Sequence, residues 1–180
     1  MSMTRVILVY GCIAGIVLVA SLGVAVVIGQ SHDIAGMAFG YLTMLIALSM
    51  VFVGVKRYRD DQLGGVIRFG TAFLLGLGIS LVASAFYVLG WEAYMASTDY
   101  SFAEKYAAAM LEAQREAGAS AEEIAAARAQ MDGFVSLYAN PLYRMAMTFT
   151  ELAPIALLVT LVSALLLRNP RFMAAGGGPS

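Results

Sequence analysis

The sequence predicts an all-α polytopic membrane protein with four transmembrane helices and a helical hairpin between the third and the fourth. Hydrophobic residues make up 61% of the 180 positions and charged residues only 13%, whereas about a quarter of the residues of a soluble domain are charged. Four apolar segments are each long enough to cross about 30 Å of hydrocarbon as a helix. A bilayer is therefore the expected solvent for most of the chain.

The four predicted spans cover about residues 6–29, 34–55, 69–94 and 142–167. Each is apolar around its whole circumference, which is typical of a helix buried in lipid or in a bundle. The first is too long for the apolar region of a signal peptide, so we expect it to be retained. Residues 1–173 are predicted to form a single membrane domain, and residues 174–180 a flexible glycine-rich tail.

The positions of Lys and Arg predict the orientation, because the short cytoplasmic flanks of membrane helices are enriched in both. Seven basic residues flank one side of the four-span arrangement: Arg5, Lys56, Arg57, Arg59, Arg68, Arg168 and Arg171. The turn at residues 30–33 contains neither Lys nor Arg. We therefore predict a bacterial inner-membrane protein with both termini cytoplasmic. The cluster of Lys56, Arg57 and Arg59 is also a candidate contact for anionic lipid headgroups.

Residues 97–140 are predicted to lie on the exterior side as a helical hairpin. Two capping-box patterns occur in this stretch, Ser101 with Glu104 and Ser120 with Glu123. They predict helices that begin near Phe102 and Ala121, with a break at Gly118. Asn140 and Pro141 are a typical N-cap and first-turn residue for the fourth span.

Two pairs of small residues at a spacing of four lie in the first two spans. Gly11 with Gly15, and Gly36 with Gly40, would allow close approach of a second helix. Such pairs serve either packing within one chain or dimerisation, and packing within the chain is the favoured interpretation.

Short motifs along nearly the whole chain resemble the bacterial four-span membrane family catalogued as domain of unknown function 4199. They are Gly40-Tyr41, Met44-Leu45, Phe52-Val53-Gly54, Lys56, Tyr58-Arg59-Asp60, Gly64-Gly65, Phe69-Gly70, Ala72-Phe73, Tyr87, Trp91, Glu104-Lys105-Tyr106, Gly118-Ala119-Ser120, Asn140-Pro141-Leu142 and Glu151-Leu152-Ala153-Pro154. The resemblance implies the four-span topology and supplies no activity.

Glu151 is the candidate residue for chemistry inside the membrane. It lies about ten residues into the fourth span, or about 15 Å deep, where an ionised carboxylate is costly. One interpretation is a protonatable site, assisted by Pro154, which cannot donate a backbone hydrogen bond. The alternative is a neutral carboxyl that binds a hydroxyl such as that of Ser80, Ser84, Tyr87 or Thr148 and holds helices together.

Glu92 and Arg144 lie near the exterior ends of the third and fourth spans and are predicted to form an interfacial ion pair. A structural role beside the aromatic residues of that zone is favoured over a role in substrate binding.

The remaining residue counts exclude several classes of function. A net charge of −1 disfavours a nucleic-acid partner. With one cysteine and one histidine, the chain has no set of metal ligands of the usual kinds, and we expect no metal, no cofactor and no catalytic residue. We therefore expect a non-enzymatic interaction or accessory protein whose exterior hairpin recognises a partner. The candidate partners are a second copy of the chain or another membrane protein. The alternative function is a channel or a proton-coupled small transporter centred on Glu151.

Overall fold

The computed structural model describes the backbone of residues 1–28 and 34–174, and the side chains of residues 1–25 and 38–174. These residues form six helices and no strand: α1 (Met3–Ile28), α2 (Ile34–Leu63), α3 (Phe69–Ser97), α4 (Phe102–Glu116), α5 (Ala121–Tyr138) and α6 (Pro141–Leu167). The predicted turn at residues 30–33 and the tail from residue 175 lie outside the described residues. The all-α fold class is confirmed.

Four of the six helices are long and apolar enough to cross a membrane: α1, α2, α3 and α6. They correspond to the four predicted spans, so a membrane protein with four candidate spans is confirmed. The chain divides into two compact units, one of Met1–Gly90 with Phe149–Ser180 and the other of Trp91–Thr148.

In the first unit, α1 and α3 run parallel and pack through alternating glycines. Gly78 of α3 faces Ile7 of α1, and Gly11 of α1 faces Val82 of α3. A Cβ atom at Gly15 would lie 2.5 Å from the Cβ of Phe86. The absence of side chains on these glycines therefore lets the two backbones approach closely. Gly11 and Gly15 serve packing within the chain, as favoured from the sequence, whereas a Cβ at Gly40 would meet nothing within 4 Å.

The ends of α2 and α6 meet at one end of the first unit. Arg59, near the end of α2, donates hydrogen bonds to the main-chain carbonyls of Leu167 and Phe172. Because α3 follows α2 after a short connection and α1 is parallel to α3, the start of α1 lies at this same end. The seven basic residues used to predict the orientation are therefore all near one end of this unit.

Helix α2 continues to Leu63, eight residues beyond the predicted end of its span. Ion pairs at a spacing of four, Lys56 with Asp60 and Arg57 with Asp61, support the extra turns. The chain turns only at the two following glycines, where Gly64 has φ of +62°.

In the second unit, α4 and α5 form the predicted hairpin, and Gly118 with φ of +80° separates them. The capping box at Ser120 is confirmed: its hydroxyl accepts from the Glu123 amide, and its own amide donates to the Glu123 carboxylate. The capping box at Ser101 is wrong. Ser101 has helical dihedral angles and donates its hydroxyl to the carbonyl of Thr98, whereas an N-cap residue is extended and its side chain accepts from a main-chain amide of the first helical turn.

Helix α6 begins as predicted from its N-cap. The side-chain oxygen of Asn140 accepts a hydrogen bond from the amide of Leu142 at 2.9 Å, and Pro141 is the first helical residue. This start sets the position along α6 of Arg144, one turn into the helix, and of Glu151, about three turns into it.

Candidate functional site

Glu151 lies on the wall of a half-open cavity of about 120 Å³ in the first unit. All four candidate spans contribute to the lining: Leu18, Ser21, Leu22 and Ala25 from α1, Phe39, Gly40, Thr43 and Met44 from α2, Tyr87 from α3 and Glu151 from α6. Glu151 itself is an exposed residue.

The serine and threonine partners proposed for a structural Glu151 are engaged elsewhere. The Ser80 and Thr160 hydroxyl oxygens lie 3.0 Å apart, and Ser84 donates to the carbonyl of Ser80. Thr148 donates to the carbonyl of Arg144. Within the part of the chain that the structure describes, no hydrogen bond or ion pair reaches the Glu151 carboxylate. A helix-to-helix clamp through these hydroxyls is therefore not formed.

Pro154 is exposed within α6, three residues after Glu151. As a proline it has no amide hydrogen, so the ladder of main-chain hydrogen bonds in α6 lacks one donor close to the cavity. An ionised carboxylate in the middle of a span costs about 3 kcal/mol. The cavity and the missing amide donor thus both lie near Glu151, the side chain of the four spans whose ionised form costs the most free energy in a membrane.

In the second unit, Arg144 and Glu92 are brought together. The Nε and Nη2 atoms of Arg144 donate to the two carboxylate oxygens of Glu92 at 2.7 and 2.6 Å. A third donor, Nη1, binds the main-chain carbonyl of Tyr138 at 3.0 Å. Arg144 is only 2% exposed, so the pair joins α3, the end of α5 and α6 at a buried point.

Aromatic rings surround this ion pair, and most of their roles were not apparent from the sequence. The Arg144 guanidinium carbon lies 4.9 Å from the centre of the Tyr100 ring, within the range of a cation–π contact. Trp91 donates its indole hydrogen to the Tyr138 hydroxyl at 2.7 Å. The apolar stripe of α5 contains Tyr138, but nothing in the sequence pattern indicates that Tyr100 approaches Arg144.

Tyr100 reaches Arg144 because of an unusual backbone conformation. Asp99 and Tyr100 both have positive φ, of 51° and 56°, which is uncommon for residues other than glycine. Beside them lies a cavity of about 470 Å³, whose lining includes Asp99, Tyr100, Glu104, Tyr138 and Arg144. Arg144 therefore lines a partly open pocket beside its ion pair with Glu92.

The basic cluster on α2 differs from its predicted role at one residue. Arg59 is fully buried, and it binds Asp60 as well as the carbonyls of Phe172 and Met173, at 2.6, 2.9 and 2.6 Å. The interpretation of Arg59 as a lipid contact is therefore wrong, since its donors are used inside the protein. Lys56 and Arg57 are partly exposed and each binds an aspartate.

The hairpin carries a groove between α4 and α5 near its turn, which we call the tip groove. It is lined by Gln114, Ala117, Gly118, Ala119, Glu123, Ala126, Ala127 and Gln130 and has a volume of about 650 Å³. The two helices contain six acidic and three basic side chains, a net charge of −3. The groove thus combines small apolar side chains with the Glu123 carboxylate, on a hairpin whose helices have a net negative charge.

A family model described as protein of unknown function (DUF4199) matches residues 9–169. No curated protein and no solved structure matches the chain.

Proposed function

Because the chain belongs to the family of proteins of unknown function DUF4199, we propose a function from its own side chains: it is a non-enzymatic membrane protein that recognises another protein through the α4–α5 hairpin. The observation that carries this proposal is the independent core of the second unit. Met95, Ala103 and Tyr138 are buried together there, and partly buried aromatic side chains pack against them. The base of the hairpin is therefore held in place, while its tip groove is exposed.

We place this hairpin on the exterior side of a bacterial inner membrane, with both chain termini in the cytoplasm. Support comes from the basic residues, which lie near one end of the first unit, as the short cytoplasmic flanks of membrane proteins do. Lys56 and Arg57 would then also lie close to the anionic headgroups of the cytoplasmic leaflet.

The partner is a protein segment with basic side chains. The Glu123 carboxylate in the tip groove and the net negative charge of the α4 and α5 helices favour such a segment electrostatically. Alanines at the groove floor leave room for a long side chain whose aliphatic part packs on them while its charge stays near Glu123. A second copy of this chain offers few basic residues on the hairpin, so another membrane or exterior protein is favoured over a homo-oligomer.

A photo-cross-linking amino acid at Ala126, in the tip groove, tests this function in intact cells. We expect one dominant adduct that weakens as salt is raised, because exposed charges are screened within about 10 Å at 0.1 M salt. The matched control carries the same amino acid at Ala125, which is exposed but about 100° further round α5.

Two results would contradict the recognition function: equal adducts from both positions, or an adduct that salt does not weaken. An adduct of twice the mass of the chain would show that the partner is a second copy of the chain and not another protein.

The second candidate function is proton-coupled transport, and the observation that favours it is the Glu151 cavity. Vesicles that contain the wild-type protein and a pH-sensitive dye, placed under an imposed gradient, would show proton flux if this function holds. The Glu151→Gln variant keeps the size and shape of the side chain and should abolish that flux. Equal background flux from both proteins would exclude transport.

A further inference from the structure

The Glu151 cavity is lined by residues whose side-chain oxygen atoms can only accept a further hydrogen bond or bind a cation. The Ser21 hydroxyl donates to the carbonyl of Val17, and the Thr43 hydroxyl donates to the carbonyl of Gly40, both at 2.8 Å. A hydroxyl has one hydrogen and two lone pairs, so each of these oxygens has only lone pairs left for a ligand. An ionised Glu151 carboxylate likewise only accepts. This set of oxygen acceptors is suited to a hard cation.

Among the lining residues that the structure describes, the charge is a single negative one. Glu151 is the one carboxylate among the described lining residues, and Tyr87 from α3 is the other titratable group. The lining residues from α1 and α2 have neither acidic nor basic side chains. One positive charge would neutralise the site, and a divalent ion, which takes six or more oxygen ligands and usually several carboxylates, would not be matched.

The dimensions agree with a small ligand. A water molecule takes up about 30 Å³ of liquid, so a cavity of about 120 Å³ holds an ion with a few waters and excludes a drug-sized molecule. Gly40 lines this space, and a Cβ at that position would meet no atom within 4 Å.

We propose that the cavity formed by α1, α2, α3 and α6 is a binding site for one exchangeable monovalent cation, a proton or an alkali-metal ion, with Glu151 as its charged ligand and the Ser21 and Thr43 oxygens as neutral ligands. The site depends neither on the recognition function of the hairpin nor on transport, since a cation can bind without crossing the membrane.

Dicyclohexylcarbodiimide, an apolar reagent that enters membranes, probes the site. A protonated carboxyl adds its O–H across a C=N bond of the reagent, and the acylurea that follows by rearrangement retains all atoms, so labelling appears as a mass increase of the peptide that contains Glu151. The full-length protein is reconstituted in lipid. Labelling is followed from pH 5.5 to pH 8.5 in buffers based on N-methylglucamine, with and without NaCl.

For the wild-type protein we expect labelling at Glu151 to slow at least tenfold across this pH range. Na⁺ that slows it further at constant pH would identify an alkali-metal ion as a second occupant. If Na⁺ has no effect, the cation is the proton alone. Both results support the site. Labelling that is independent of both pH and Na⁺, or no labelling at pH 5.5 without Na⁺, would overturn it.

Two variants test whether the cavity takes part. Gly40→Val places an apolar side chain in the cavity, and Thr43→Val removes one oxygen at nearly constant shape. In each variant, the H⁺ or the Na⁺ concentration at which labelling is half-maximal should change at least threefold. The matched control is Gly23→Val on α1, where a Cβ also meets no atom within 4 Å but which does not line the cavity. Wild-type behaviour of correctly inserted Gly40→Val and Thr43→Val proteins would refute a role for the cavity.

Discussion

Arg144 donates two parallel hydrogen bonds of 2.7 and 2.6 Å to the Glu92 carboxylate, and its remaining terminal nitrogen donates to the main-chain carbonyl of Tyr138. Two-point pairs of this kind are among the stronger ion pairs in proteins, because both partners are held in one geometry. This pair joins residues 52 positions apart in the chain, and it forms the centre of the second unit.

Replacing Glu92 by Ala should destabilise the second unit by about 3 kcal/mol, because it leaves the buried Arg144 charge without its partner. The fluorescence of Trp91, which packs near this pair, can follow unfolding in detergent. Glu112→Ala is the matched control. It breaks the exposed ion pair with Arg115, and we expect a change below about 1 kcal/mol. Similar losses in both variants would show that the Arg144 pair contributes no more than a surface pair.

Replacing Arg59 by Met should loosen the chain after α6. Three of its hydrogen bonds go to the carbonyls of residues 167, 172 and 173, and Met retains most of the apolar stem but has no donor. We expect faster hydrogen exchange in residues 168–173, measured by mass spectrometry. Arg57→Met is the control, because that side chain is 60% exposed and binds Asp61 at the surface. An exchange pattern unchanged by Arg59→Met would mean that these bonds do not hold the segment.

The start of α5 should depend on pH through Glu123. The amide and the hydroxyl of Ser120 bind its carboxylate and hold the pKa of Glu123 below the ordinary value of 4.5. A carboxyl whose pKa is lower in the folded state stabilises the fold above its unfolded pKa, and this contribution is lost as the pH falls through the folded pKa. Protection of the amides of residues 120–124 from exchange, measured against the intrinsic rate at each pH, should therefore fall below about pH 4.5.

The Glu123→Gln variant provides the control for that pH effect. It can still accept a hydrogen bond from Ser120, but it does not titrate. The pH-dependent part of the protection at residues 120–124 should disappear, and a persistent loss of protection at low pH in this variant would assign the effect to another group.

Cysteine labelling tests the proposed orientation. In a Cys12→Ser background, Gln62→Cys and Ala117→Cys each place a thiol at an exposed position. An impermeant maleimide added to intact cells should label the protein with Cys at position 117 and should label that with Cys at 62 only after lysis. The opposite pattern would place the hairpin in the cytoplasm and reverse the topology.

The fold class, the number of spans and most helix starts follow from residue patterns alone. The length of an apolar segment decides whether a helix can cross hydrocarbon. A serine or asparagine at the N-cap fixes the start of a helix through contacts with the next few residues only. The predictions at Ser120, Gly118 and Asn140 held for this reason. The failure at Ser101 is also local, because the preceding positive-φ turn puts that serine in a helical conformation.

Which polar side chains are used inside the protein is set by packing between distant parts of the chain. Arg59 and Lys56 look alike as neighbours in a basic cluster, yet Arg59 is buried by a segment more than a hundred positions later in the chain. Glu151 is a deep carboxylate by counting along its helix, but the half-open cavity beside it exists only because four helices converge there. Burial and hydrogen bonding depend on neighbours brought together by packing, and residue spacing within one helix carries no record of them.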